Sequence, residues 1–146
     1  MNIREITKSD LEACSTIFSR VFSSPPWSES WTVSNALQRL SHFYNSEGFI
    51  GLLAEEVDVL GFVIGNSEPY QNDSIFYLRE MCTDIDHQTH GIGSELIVSL
   101  DEKLKSLTIQ NIYLATDMNI PAVDFYTKNG FSCEAKMAFY SKHVHS

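Results

Sequence analysis

The stretch Gln88-Thr89-His90-Gly91-Ile92-Gly93-Ser94-Glu95-Leu96 carries the strongest structural signal in the chain. It follows a strand-like run at residues 75–83 and opens an amphipathic pattern, which predicts a strand, a glycine turn and a helix N-terminus. The first four amides of a helix lack intrahelical partners, and the helix dipole favours an anion beside them. Gly91 and Gly93 have no Cβ, so a ligand can approach the backbone closely. We therefore expect this turn to bind a phosphate or diphosphate group.

Three phosphate-binding patterns compete for this stretch. A P-loop requires G-x-x-x-x-G-K-[ST], which the sequence lacks. A dinucleotide fingerprint requires a third glycine where Leu96 stands, and an acidic residue at the end of a second strand about 20 residues further on. The pattern [Q/R]-x-x-G-x-[G/A] is filled completely by Gln88, Gly91 and Gly93. A tight turn without a ligand is the simplest alternative.

A second stretch, Asn119-Ile120-Pro121-Ala122-Val123-Asp124-Phe125-Tyr126-Thr127-Lys128-Asn129-Gly130-Phe131, predicts a short helix with both ends marked. Pro121 suits the first turn, and Gly130 suits the left-handed position beyond the last turn. The stretch resembles the N-x-x-A-x-x-[FL]-Y-x-x-x-G-F signature of the GNAT superfamily of acyl-CoA-dependent N-acyltransferases, and the Gln88 turn resembles the superfamily's pyrophosphate loop. The chain is most similar in character to small-amine acetyltransferases of the polyamine and aminoglycoside type.

The resemblance implies that acetyl-CoA is the acyl donor, and we expect that no metal takes part. His87 and His90 lie three residues apart, but no third metal ligand is near them in sequence. The loop departs from the family at Thr89 and His90, where Lys or Arg is frequent, so we expect modest CoA affinity. The main chain of the preceding strand is implied to pair with the pantetheine arm. The expected cofactor-binding residues are Met81, Cys82, Thr83, Gln88, Thr89, His90, Gly91, Ile92, Gly93, Ser94, Asn119 and Tyr126.

Acetyl transfer to an amine requires a base and an acid. An amine with a pKa of about 10.4 is almost entirely protonated at neutral pH, so a base must remove its proton before attack. The resemblance implies Tyr126 as the acid that protonates the departing thiolate, and Glu80 is our candidate base. The alternatives are a core aromatic for Tyr126 and, for Glu80, a strand carboxylate that pairs with Arg79 or faces solvent. Because Glu80 and Met81 alternate along a strand, a bulge or twist would decide what Glu80 reaches.

Cys82 raises the possibility of a covalent acyl-cysteine intermediate. No obvious base partner for this thiol appears near it in the sequence, which favours a small strand hydrophobe instead. The three cysteines lack metal-ligand spacing and indicate reduced thiols in a cytoplasmic protein.

The net charge of −9 argues against a nucleic-acid partner and suits a cationic acceptor. The acceptor site is expected to form from the segment that joins the first two helices and from the loop before the central strand. A second ammonium could be anchored there by Glu29, Glu68 or Asp73. The two tryptophans could stack against the acceptor or simply cover the core. The candidate substrate residues are Trp27, Glu29, Trp31 and Tyr70.

Several functions stay open at this stage. The acceptor could be a polyamine, a sugar amine, an amino acid, or the α-amine or lysine of a protein. A non-catalytic acyl-CoA sensor is the alternative of another class. A homodimer is also open, while no apolar run is long enough to predict a membrane span.

The pattern of elements predicts an α/β (α+β) fold in a single GNAT-like domain over residues 1–146. We expect a mixed, mostly antiparallel twisted sheet with helices on both faces, in the order β-α-α-β-β-β-α-β-α-β. The predicted strands are residues 2–6, 49–55, 59–65, 75–83, 112–115 and 131–140. Residues 56–58 join a hairpin, residues 67–73 form a loop, Thr7 or Ser9 and Thr32 begin the first two helices, and a third helix covers residues 91–107.

Overall fold

The computed structural model describes residues 1–145. The chain divides into two compact units, Met1–Leu114 and a second that begins at Ala115. The expectation of a single domain over residues 1–146 stays a prediction. The elements of the first unit are β1 (Asn2–Glu5), α1 (Leu11–Phe22), α2 (Val33–Tyr44), β2 (Phe49–Glu55), β3 (Val59–Tyr70), β4 (Asp73–Thr83), α3 (Ile92–Ser106) and β5 (Ile112–Tyr113). The second unit contains α4 (Ala122–Lys128).

The sheet has the strand order β1-β2-β3-β4-β5. Its first four strands pair antiparallel, and β5 pairs parallel to β4. The α1 and α2 helices pack on one face with Leu53, Phe62 and Ile64 in a shared core cluster. The α3 helix also contacts β2, β3 and β4, but its buried residues lie outside that cluster, so it covers the other face. The predicted mixed, mostly antiparallel α/β fold is confirmed.

Capping residues mark where the first two helices begin. Thr32 caps α2 as expected, because its Oγ1 accepts a hydrogen bond from the Asn35 amide at 3.0 Å. Near the N-terminus a short 3-10 helix at Lys8–Asp10 precedes α1, and Thr7 and Asp10 form a capping box. Arg4 of β1 donates two hydrogen bonds to the Asp10 carboxylate, at 2.8 and 2.9 Å, and thereby joins the edge strand to the start of α1. The hydrogen bonds from Arg4 hold the pKa of Asp10 well below its usual range.

The hairpin of β3 and β4 is longer than the sequence pattern predicts. The expected loop at residues 67–73 is wrong, because β3 continues to Tyr70 and pairs with β4 as far as Asp73. The turn consists of Gln71 and Asn72, with Gln71 in a left-handed conformation at φ 54°. Backbone pairing with a long neighbouring strand overrides the turn-like composition around Pro69.

The expected strand at residues 131–140 is also wrong for the described part of the chain, where these residues join no ladder. A turn interrupts them, with the Met137 amide donating to the Glu134 carbonyl at 3.0 Å. Apolar alternation does not by itself supply the hydrogen-bonding partner that makes a strand. Within residues 1–145, no helix is long and apolar enough to cross a membrane.

Candidate active site

The loop between β4 and α3 has the geometry of an anion-binding turn. A short 3-10 helix at Ile85–His87 leads to Gln88, whose side-chain amide donates to the Thr83 carbonyl at 3.2 Å and ties the loop to the end of β4. Thr89 and Gly91 both have left-handed backbones, with φ of 72° and 79°. A Cβ built on Gly91 would meet no atom within 4 Å, so the backbone there faces open space.

The first turn of α3 presents backbone donors to that space. The Glu95 amide bonds to the Gly91 carbonyl at 3.1 Å and begins the intrahelical ladder. The amides of Ile92, Gly93 and Ser94 precede that bond and therefore lack intrahelical acceptors. The structure thus brings the predicted glycines to a helix N-terminus whose dipole and amides suit a diphosphate.

The side chains of Thr89 and His90 are exposed beside this turn. The His90 ring lies edge-on to the His87 ring with centroids 6.3 Å apart, and His87 Nδ1 lies 3.2 Å from an Asp84 carboxylate oxygen. Across residues 1–145, the structure contains no group of three His, Cys, Asp or Glu side chains that could hold a metal ion.

The edge of β4 is open beside the loop. β5 pairs with only Phe76 and Tyr77, so residues 78–83 have no strand neighbour on that side within the described sheet. The open segment contains Met81, Cys82 and Thr83, which were expected to pair with the pantetheine arm. An extended chain with amide groups can add to such an edge. One group is already committed, since the Thr83 carbonyl accepts the hydrogen bond from Gln88.

A β-bulge in β4 directs Glu80 to the α1/α2 face. Glu80 pairs with Ile64 and Leu78 pairs with Gly65, which leaves Arg79 as an extra residue in β4. Glu80 shares the face of its partner Ile64, which belongs to the α1/α2 core. There its Oε1 accepts a hydrogen bond of 2.8 Å from Nε of Arg39 on α2. The alternative in which Glu80 pairs with Arg79 is therefore wrong, because the Glu80 carboxylate is bound by Arg39, whereas the Arg79 guanidinium lies 3.7 Å from Glu68.

The surroundings of Glu80 shift its titration. Its side chain is only 13% exposed, and this burial raises the pKa of the carboxyl above its usual value of 4.5. Arg39 opposes that shift through its charge and hydrogen bond, and the negative charge of Glu29 adds to it. A carboxylate with a raised pKa is a better proton acceptor for an ammonium group.

Two of the predicted substrate residues, Glu29 and Trp31, lie beside the Arg39–Glu80 pair. The Trp31 indole donates to Glu29 Oε1 at 3.0 Å, and the Arg39 guanidinium lies 5.9 Å from the Trp31 ring centroid. Trp31 also packs edge-to-face on Phe18, with centroids 4.9 Å apart. Trp31 therefore lies beside Arg39 and also covers part of the core.

The other two predicted substrate residues make different contacts. Trp27 packs on Phe22 at 5.1 Å and covers the same core cluster. Tyr70 is 58% exposed at the tip of the hairpin, where it pairs with Asp73. Trp27 therefore lies at the edge of the core, and Tyr70 lies at the hairpin tip.

A groove of about 690 Å³ runs between the end of α2 and the β3–β4 hairpin. Arg79 lies in it with its guanidinium 3.8 Å from the Tyr77 ring centroid and 5.6 Å from that of Phe43. Glu68 also lines it, accepts a hydrogen bond of 2.7 Å from Tyr113 and lies 3.7 Å from Arg79 Nη2. Burial and the carboxylate of Glu68 raise the pKa of Tyr113 to about 12. A neighbouring opening of about 480 Å³ is lined by Trp31, Arg39 and His42 among others.

The cysteines of the first unit are poorly suited to covalent catalysis. Burial raises the pKa of the Cys82 thiol well above its usual value, and nearby negative charges, Glu80 foremost, add to the shift. Burial likewise raises the pKa of Cys14 to about 12. The thiolate is the nucleophilic form, so both side chains are apolar packing groups at neutral pH.

The second unit forms the short helix that its sequence predicts. Gly130 has a φ of 93° just beyond α4, its amide donates to the Thr127 carbonyl at 3.2 Å, and the Phe131 amide donates to the Tyr126 carbonyl at 3.0 Å. These two bonds make a Schellman motif. The half-buried Tyr126 ring packs edge-to-face on Phe125 and Phe131, each at 5.4 Å. The Asn119 amide donates to the Asp117 side chain at 2.9 Å.

Comparison with known protein families identifies the family of this chain. A sequence profile of the Acetyltransferase (GNAT) family matches residues 11–131. The chain therefore belongs to the GNAT acetyltransferase family, and it is an acyltransferase. A search of curated proteins finds no match to the sequence.

Solved structures share the fold at low identity. An aminoglycoside acetyltransferase from an uncultured soil metagenomic sample, in complex with sisomicin, is 18% identical over 99% of this chain and 96% of that chain, with a TM-score of 0.77. An aminoglycoside 6′-N-acetyltransferase from Acinetobacter haemolyticus is 16% identical over 99% and 100%, with a TM-score of 0.76. A transcriptional regulator from Bacillus halodurans is 21% identical over 98% and 99%, with a TM-score of 0.76.

Proposed function

We propose that this protein transfers an acetyl group from acetyl-CoA to a primary amine of a small cationic acceptor, with Glu80 as general base and Tyr126 as general acid. The observation that carries the proposal is the bulge at Arg79, which places a largely buried carboxylate of raised pKa on the face opposite α3, in the strand that leads into the phosphate loop. Family membership supports acetyl transfer as the reaction.

The donor site fits acetyl-CoA by its chemistry. The amides of Ile92, Gly93 and Ser94 suit the pyrophosphate, and the open space at Gly91 leaves room for it. The unpaired edge of β4 at residues 78–83 offers main-chain groups to the pantetheine amides. Bound acetyl-CoA supplies an activated thioester carbonyl.

Two side chains of the protein then transfer the protons of the reaction. Glu80 takes a proton from the acceptor ammonium, directly or through a water, and its raised pKa brings its basicity closer to that of the amine. The neutral amine attacks the thioester carbonyl and the C–S bond breaks, while the hydroxyl of Tyr126 gives a proton to the departing thiolate sulfur. The second proton that the nitrogen loses as the amide forms restores the Tyr126 hydroxyl. Direct attack is favoured over an acyl-enzyme, because the Cys82 thiol stays protonated at neutral pH.

The acceptor is proposed to carry more than one positive charge. The net charge of −9 favours the approach of cations, and Glu29 and Trp31 lie beside the Arg39–Glu80 pair to receive one. The likeness to aminoglycoside acetyltransferases is one of fold, and it makes sugar amines a reasonable class to assay first.

The test measures thiol release from acetyl-CoA with polyamines, aminoglycosides, neutral peptides and acidic peptides. We expect the highest kcat/KM with polycations, and a decrease at 1 M salt, since the Debye length falls from about 10 Å at 0.1 M to about 3 Å at 1 M. A preference for acidic peptide N-termini would contradict the cationic acceptor and support a protein acetyltransferase. Tight acetyl-CoA binding without acetylation of any amine would support the sensor function.

A further inference from the structure

The Arg39–Glu80 pair joins two elements far apart in sequence, and it holds the carboxylate by one oxygen. Nε of Arg39 lies 2.8 Å from Oε1 of Glu80. Among the hydrogen bonds of residues 1–145, Oε2 of Glu80 accepts none. The contact restrains the carboxylate through Oε1, and Oε2 stays available to accept a proton.

We propose that Arg39 is a positioning residue for acetyl transfer: it holds Oε1 of Glu80 so that Oε2 is presented to the acceptor amine. The inference rests on the proposed function, in which Glu80 is the base. Arg39 is not expected to touch the reacting atoms, and it acts through Glu80.

The packing of Arg39 explains how a long side chain can position another. Its guanidinium lies 5.0 Å from the Phe43 ring centroid and 5.9 Å from the Trp31 ring centroid. Trp31 is itself held by its hydrogen bond to Glu29 at 3.0 Å and by its edge contact with Phe18. Arginine stacks on aromatic faces with little loss of its donor geometry, so this arrangement holds the guanidinium in place.

The same contact opposes the effect of burial on Glu80. The charged groups that act on this carboxylate are Arg39 from α2 and Glu29 from the α1–α2 connection, with the Cys82 thiol two residues along β4. Burial and Glu29 raise the pKa of Glu80, whereas Arg39 lowers it. Removal of Arg39 would therefore leave more of Glu80 protonated at neutral pH, with less base to accept the amine proton.

The test compares pH profiles of kcat/KM for wild type, Arg39→Met, Arg39→Lys and Glu80→Gln, with the best amine found in the acceptor assay. Methionine retains an unbranched side chain that can pack against Trp31 and Phe43 but removes the charge and the donor. We expect Arg39→Met to move the acid limb up by about one pH unit or more, on the scale of losing a close opposite charge. Its kcat should fall at least about tenfold while KM for acetyl-CoA stays the same.

Two further variants make the result specific. Arg39→Lys keeps the charge, so its acid limb should stay near that of wild type while kcat falls, because an ammonium cannot reproduce the planar Nε donor. Lys103→Met removes another ion pair between a helix and a strand, to Glu5 on β1, and should leave both the profile and kcat as in wild type. If Arg39→Met does not fold, Arg39→Lys alone tests the role of Arg39. A lower kcat with an unmoved acid limb supports the role, and a wild-type kcat contradicts it.

Wild-type kcat in Arg39→Lys together with an unmoved limb in Arg39→Met would overturn the role of Arg39. The pH profile of Glu80→Gln distinguishes that result from failure of the proposed function. If Glu80→Gln loses the acid limb, Glu80 is still the base; if it keeps the wild-type limb and rate, the assignment of Glu80 falls and the inference falls with it.

Discussion

Leu78 and Glu80 lie two positions apart on β4 yet face opposite sides of the sheet. Regular alternation would put both side chains on one face. The extra residue Arg79 reverses the alternation, so Leu78 opposes Gly65 while Glu80 opposes Ile64. A carboxylate is thereby turned away from the α3 face and into contact with α2, where burial raises its pKa and Arg39 orients it.

Gly91, a left-handed glycine in the loop between β4 and α3, should matter more for binding acetyl-CoA than for folding. A Cβ at Gly91 meets nothing within 4 Å, so Gly91→Ala should cost stability only through its φ of 79°, about 1 kcal/mol. The added methyl group lies where the diphosphate is expected, and KM for acetyl-CoA should rise at least about tenfold. Steady-state kinetics and thermal unfolding of the same preparation measure the two effects.

Gly130→Ala is the matched control. Gly130 has a φ of 93° and the same lack of neighbours around an added Cβ, so the two variants should lose similar stability. Only Gly91→Ala should weaken acetyl-CoA binding. Equal KM values for acetyl-CoA in the two variants would reduce Gly91 to a turn residue.

Tyr126→Phe removes one hydroxyl and should lower kcat by about 10²–10⁴ if that hydroxyl protonates the thiolate. The ring contacts with Phe125 and Phe131 do not involve the hydroxyl and are retained in the variant. Tyr113→Phe removes a hydroxyl bound to Glu68 and serves as control. A turnover within tenfold of wild type would rule out Tyr126 as the acid.

Asp10 should make the fold sensitive to acid. Arg4 depresses its pKa in the folded protein, so its contribution is present above the unfolded value of about 3.9 and is lost as the pH falls through the folded value. At pH 7, Asp10→Asn should lower the free energy of unfolding by about 1 kcal/mol, a modest value because Arg4 is partly exposed. Urea unfolding at several pH values should show the difference from wild type shrinking below about pH 4. A constant difference down to pH 2 would contradict this account.

The parts of the fold that the sequence predicts are those with local causes. Thr32 caps α2 with its own side chain, and the glycines at 91 and 130 mark left-handed positions that other residues resist. The spacing of Ile92, Leu96, Leu100 and Leu104 likewise follows from one helix packing on a sheet.

The parts that escape prediction depend on partners distant in sequence. The bulge at Arg79 exists only in relation to Ile64 and Gly65. Arg39 was not predicted as a site residue, since nothing near it in sequence points to Glu80. The roles of Glu80 in catalysis and of residues 88–94 in binding stay predictions.

The most direct measurement of the central claim is the rate of acetylated-amine formation by wild type and Glu80→Gln, followed by mass spectrometry of the product. Wild type should acetylate the amine, and Glu80→Gln should be about 10²–10⁴ slower with an unchanged thermal shift on acetyl-CoA binding. The variant should be no less stable than wild type at neutral pH, because a raised pKa means that stability is lost as Glu80 ionises with rising pH. Equal product rates in the two proteins, or no acetylated amine from wild type that binds acetyl-CoA, would contradict the account.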